Sequence, residues 1–167
     1  MKSTAIIACL SLIMYVGLAS AEETKAGFVK SVSGQAFISR KQISIPAKAD
    51  DKVFENDVII TGSDGKIGIT FQDNSVLGIG SNTQVNISKF AFEPANKKLA
   101  FLVKIKKGTL VYLAGLIAKL ENKSVRFETP TSVCGVRGTH VAIMVEGGDV
   151  KELLRLDDIL PSKSNKK

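Results

Sequence analysis

Residues 66–80 read KIGITFQDNSVLGIG. Ile67, Ile69 and Phe71 alternate with Gly68 and Thr70, the period of a strand with one buried face. Asp73 and Asn74 interrupt the pattern, and Val76-Leu77-Gly78-Ile79 resumes it. Asp and Asn both tolerate the positive φ that tight hairpins demand, so the stretch predicts a β-hairpin around a two-residue turn.

The same pattern extends on both sides. Phe28 to Val32 and Gln35 to Ser39 read as two strands around a tight turn at Ser33-Gly34. Ser44-Ile45-Pro46-Ala47-Lys48 reads as an edge segment, because Pro46 has no N–H to give a ladder. Val85 and Ile87 lead a strand towards Phe90 and Phe92, Pro94 to Lys98 forms a polar loop, and Leu99 to Lys106 is extended again. The apolar run from Gly108 to Leu120 suits strands or a helix, and its glycines favour strands. Val125 to Thr129 alternates, with Val125 and Phe127 inward. The chain is therefore expected to be all-β. One helix is expected at the end, where Asp149-Val150-Lys151-Glu152 has capping-box form before Leu153-Leu154-Arg155-Leu156. Pro161 and a Lys-rich tail would stop it.

Lys2, the apolar run from Ala5 to Leu18 and Ala19-Ser20-Ala21 have the form of a secretory signal, which places the protein in the periplasm or outside the cell. The run is shorter than the ~20 apolar residues that span a bilayer, so cleavage is preferred to anchoring and no membrane span is expected afterwards. The organisation expected is a signal peptide over residues 1–21, a β domain over 22–148, and a short helix with its tail over 149–167. Cleavage removes Cys9 and leaves Cys134 alone, so no internal disulfide is available.

The formal charge is +7, and loss of Lys2 keeps it basic, which admits anionic partners. Within VKIKK, Lys104 and Lys106 share one strand face, read as solvated. Nucleic acid is disfavoured: with no tryptophan and, after cleavage, only Tyr112 as tyrosine, a base-stacking platform is poorly supplied. No phosphate loop or zinc pattern occurs, so no cofactor or metal is expected.

Several ordered motifs resemble the FecR domain family from about Val29 to Val145. They are Asp57-Val58-Ile59-Ile60-Thr61-Gly62, Ile69 to Ser75, Asn82-Thr83, Lys107-Gly108-Thr109, Thr129-Pro130 and Gly135-Val136-Arg137-Gly138-Thr139. The resemblance implies a jelly-roll-like β-sandwich and a role in envelope sensing or signalling. Asn56 and Asn74 stand where the family usually has glycine, and asparagine is a common substitute at positive φ. The family usually continues with more strands and a glycine turn after Arg-Gly-Thr; here Val145-Glu146-Gly147-Gly148 is read as leading into the helix, which would leave an edge open.

TPTSVCGVRGTH, residues 129–140, gathers chemistry-bearing residue types. On an unbroken strand Arg137 would share a face with Val133, Val141, Ile143 and Val145, and so would need a buried partner. Asp73 and Asp57 are the leading candidates; a bulge at Gly135 or Gly138 would instead turn Arg137 outward to meet an anionic ligand. The candidate clamp or interaction residues are thus Arg137, Gly138, Thr139, Thr129, Pro130, Asp73 and Asp57. No catalytic residue is assigned. Cys134 and His140 would lie about 20 Å apart in an extended strand, too far to act as nucleophile and base. The function expected is a non-enzymatic exported interaction domain whose partner is an envelope protein or, second, a glycan. The alternatives are an envelope enzyme acting on a polymer and a binder of an anionic surface.

Overall fold

The computed structural model describes residues 24–136, 140–146 and 149–155. The chain begins with β1 (Lys25–Ser33), β2 (Ala36–Arg40), β3 (Ile43–Pro46), β4 (Lys52–Phe54) and β5 (Val58–Thr61). The hairpin of β6 (Lys66–Phe71) and β7 (Val76–Ile79) follows, then β8 (Gln84–Glu93) and β9 (Lys98–Leu113). After a one-turn helix, α1 (Leu116–Leu120), come β10 (Val125–Glu128), β11 (Val133–Gly135), β12 (His140–Glu146) and β13 (Asp149–Arg155). The all-β expectation holds.

Two layers share one long strand. The first runs β4-β1-β6-β7-β9-β12-β13 and the second β3-β2-β5-β8-β9-β10-β11. Its pairings are antiparallel except that of β10, which lies parallel to β9. The first ten residues of β9 pair with β8, whereas Gly108 to Leu113 pair with β12, and β7 joins from Leu110 onward. Gly108, at φ +98°, is the corner between the layers, and a Cβ there would stand 2.1 Å from Thr83 Oγ1. Only glycine meets both conditions.

Threonines pin that corner. Thr83 N donates to Thr61 Oγ1 (2.9 Å), the Thr61 hydroxyl donates to Gly80 O (2.6 Å), and Thr109 N donates to Thr83 Oγ1 (2.9 Å). Thr61 and Thr83 are buried, so these bonds replace water that the backbone would otherwise lack. Between the layers lies an aromatic cluster. Phe71 from β6 meets Phe101 of β9 at 4.6 Å and Phe90 of β8 at 5.5 Å, and Tyr112 meets Phe127 at 5.2 Å. These rings join Ile38, Ile59, Ile69, Leu77 and other aliphatic residues in one core.

Several expectations are corrected. β1 and β2 do not pair: β1 lies between β4 and β6, and β2 between β3 and β5, so the turn at Gly34 carries the chain from one layer to the other. Between Phe71 and Ser75, joined by Phe71 N donating to Ser75 O, the loop has three residues; of these only Asn74 takes positive φ (63°), and Asp73 is buried. The Gly108–Leu120 run is the end of β9 followed by α1, not a pair of strands. Of the two readings left open for Val133 to Val145, the unbroken strand is not found: Val133–Gly135 forms β11 and His140–Glu146 forms β12, and Val133 is exposed while Val141, Ile143 and Val145 are buried. The expected C-terminal helix is instead strand β13, registered on β12 with Val145 opposite Val150 and Glu146 opposite Asp149. Two glycines separate the paired Glu146 and Asp149, a hairpin spacing, and a whole row of ladder bonds to β12 outweighs a local capping pattern.

Candidate functional site

The expected site residues fall into separate places. Arg137, Gly138 and Thr139 lie outside the described residues. Thr129 and Pro130 open the turn between β10 and β11, where Thr129 N donates to Ser132 O (2.8 Å) and Ser132 N donates to Thr129 Oγ1 (3.0 Å). Asp73 is fully buried and accepts from the Ser75 hydroxyl (2.6 Å), Ser75 N (3.1 Å) and Ile117 N (3.2 Å), which fastens α1 to the hairpin. Gly115 permits this approach, because a Cβ on it would come within 2.4 Å of Asp73 O and Ser75 N. The buried Tyr112 hydroxyl lies near the Gly115 backbone and Ser75 without a well-formed hydrogen bond to either, and burial, then the nearby Asp73 charge, pushes its ionisation far up.

Asp57, also fully buried, follows Asn56 at φ 70° and is paired with Arg40. Arg40 Nε and Nη2 donate to its two oxygens, both at 2.8 Å, and Phe54 N donates to Oδ2 at 2.9 Å. The same Arg40 donates to Lys52 O (3.0 Å) and lies 4.3 Å from the centroid of the Phe54 ring. Lys52 and Phe54 belong to β4, so one guanidinium ties the second layer's β2, and the loop residue just before β5, to the outer strand of the first. Arg40 was missed in the sequence reading, although it ends an alternation of Ala36, Ile38 and Arg40 whose first two members are buried.

That clamp lies beside the end strands β3 and β4. Among the described residues, β3 ends the second layer and pairs only with β2, while β4 ends the first layer and pairs only with β1. Register sets Ile45 opposite Ile38 and Ile43 opposite Arg40, so both isoleucines lie on the core-facing side of the layer. They nevertheless remain 44% and 69% exposed. A groove of about 430 Å³ runs beside them, lined by Ile38, Arg40, Ile45, Asp51, Lys52 and Phe54. An unpaired ladder edge, two exposed isoleucines and an adjoining groove can together accept an extended chain.

The TPTSVCGVRGTH stretch shows no convergence on a reaction centre among the described residues. Cys134 packs half-buried on the core with its thiol ionisation pushed up by burial, which makes it a poor nucleophile. His140 Nδ1 is buried without a described partner. No three His, Cys, Asp or Glu side chains among the described residues group to hold a metal, and no described helix is long and apolar enough to cross a membrane.

The motifs and layers now stand beside known proteins. A family model described as FecR protein matches residues 57–153, more than half of the chain. The match runs through β12 and into β13, so the hairpin after Arg-Gly-Thr falls within it. A solved structure described as "Cell surface anchoring domain" is similar at 25% identity and a TM-score of 0.36, over 38% of this chain and 84% of that one. No curated protein matches the sequence.

Proposed function

Because the chain belongs to the FecR protein family, we propose that it is a non-catalytic interaction domain of the cell envelope that takes up a partner protein by strand addition at β3. The carrying observation is the open edge, where Ile43 and Ile45 are exposed on the core-facing side of a strand whose second ladder has no partner among the described residues. An added strand would satisfy the outward N–H and C=O groups of β3. One of its apolar side chains would enter the groove between Ile45 and Phe54. The secretory signal expected over residues 1–21 supports an envelope location, and the family's association with envelope signalling supports the broader role.

The motifs described by the structure support the same reading by their positions. Thr61-Gly62, Asn82-Thr83 and Lys107-Gly108-Thr109 meet at the layer corner, and Asp57 and Asp73 fasten separate loops. They are scaffold. β3, at Ile43–Pro46, stands apart from these positions.

The test is photo-cross-linking in intact cells from a probe placed at Ser44, comparing the unaltered protein with Ile45→Lys. One recurrent cross-linked protein should disappear with Ile45→Lys while the melting temperature falls by no more than a few degrees, since Ile45 is already 44% exposed. Capture that persists at full yield in the variant would refute strand addition at β3.

A further inference from the structure

A second surface lies at the other end of the second layer. Lys89 on β8 is registered opposite Leu102 on β9, and Leu102 opposite Arg126 on β10, so the two cations flank an aliphatic residue in one cross-strand row. Their Cα atoms are roughly 10 Å apart, two inter-strand spacings, a distance that two long side chains close around a small ion. The register shift between Ile87 and Lys89 marks a bulge, a device that re-aims a side chain. Lys123, in the turn before β10, brings a third cation: Arg126 Nε donates weakly to its carbonyl at 3.4 Å. Leu99, Leu102 and Ser124 are among the other residues lining a recess of about 280 Å³.

The three cations outnumber the acids beside them. Glu128 at the rim is engaged by Lys104 Nζ at 3.1 Å, and the Glu121 carboxylate accepts from Lys123 N at 3.3 Å. Three like charges around one recess repel each other unless an anion joins them. A carboxylate would match the guanidinium fork alone, whereas a phosphate has enough oxygens and charge for the fork and both ammonium groups. We propose that the recess bounded by Lys89, Lys123 and Arg126 is a binding site for a phosphate group carried by a larger molecule, with Leu99 and Leu102 contacting the part next to it.

The test is an amide-shift titration of the protein with sodium phosphate against sodium chloride of equal ionic strength. Saturable shifts centred on Lys89, Leu102, Ser124 and Arg126 are expected with phosphate only. Lys89→Ala with Arg126→Ala should weaken the phosphate affinity about tenfold or more, as loss of two charge-assisted contacts does. Lys106→Ala with Lys107→Ala removes the same charge elsewhere and should leave the affinity within about twofold, because exposed charges at that distance are screened. Equal weakening by both pairs, or no saturable shift, would overturn the proposal. Vesicles of phosphatidylcholine with and without phosphatidic acid separate the sources. Binding that requires phosphatidic acid and the Lys89–Arg126 pair assigns the phosphate to a lipid headgroup, and phosphate binding without vesicle binding assigns it to a soluble or polymer-borne ligand; either outcome sustains the site.

Discussion

Two buried carboxylates decide how this domain responds to single changes. Asp57 is solvent-free and its cationic partner is Arg40, so Arg40→Ala strands a charge in the core and should cost about 3 kcal/mol by urea denaturation. Arg40→Lys should recover part of that loss, since one ammonium cannot reproduce the two parallel bonds. The principle that read Arg137 as a charge in need of a partner applies to Arg40 as well, through the parity of Ala36, Ile38 and Arg40. That residue was legible; it went unread because SRKQ carries no motif. Asp73 acts through its neighbour Tyr112. A tyrosine whose folded ionisation lies above its unfolded value near ~10 stabilises the fold fully below that value, and the contribution is lost as pH rises towards the folded one. With Tyr15 absent, phenolate absorbance should therefore appear together with loss of circular dichroism in alkaline titration, and Tyr112→Phe should delay the unfolding to higher pH. Phenolate formation in a still-folded protein would contradict the burial of this hydroxyl.

Among the elements, the β2–β3 hairpin has the least ordinary turn. Arg40 is opposite Ile43, which leaves Lys41 and Gln42 as a two-residue loop, and both take positive φ, 48° and 68°. Such turns favour Asn-Gly, and each bulky residue there is strained by roughly 1–2 kcal/mol. Gln42→Gly should stabilise the protein by about 0.5–1 kcal/mol, the relief less the added freedom of the unfolded chain, seen as a higher urea midpoint at unchanged slope. No change in the midpoint would mean that the turn is relaxed as it stands. The same hairpin shows why strand existence was easier to read than strand pairing. Alternation in β6, β7 and β10 reports a buried face directly, but Lys-Gln gives no turn signal, and the capping-box letters at Asp149 concealed a strand whose ladder is set by β12. Edge status at Pro46 was legible for a covalent reason, the missing N–H.

Across the whole molecule, the two layers and their shared strand could not be read from periodicity, because alternation says which face is buried and not which sheet buries it. Gly108 was visible as a breaker; that it turns a continuous strand from one layer into the other depends on Thr83 standing where a Cβ would go. The candidate surfaces were legible unequally. The β3 edge was foreseen in kind, whereas the phosphate recess joins Lys89, Lys123 and Arg126, which only the parallel docking of β10 on β9 brings side by side. The position of β9 also sets an order on synthesis. Its sixteen residues separate β7 from β12 in one layer and β8 from β10 in the other, yet they come after both β7 and β8 in the chain. As the polypeptide emerges from its N-terminus, everything through Lys97 can be made while β7 and β8 each still lack their β9 neighbour. The nascent chain thus passes through an interval with two sticky borders that the finished protein does not have, and the speed with which residues 98–113 follow governs how long other chains have to pair with them.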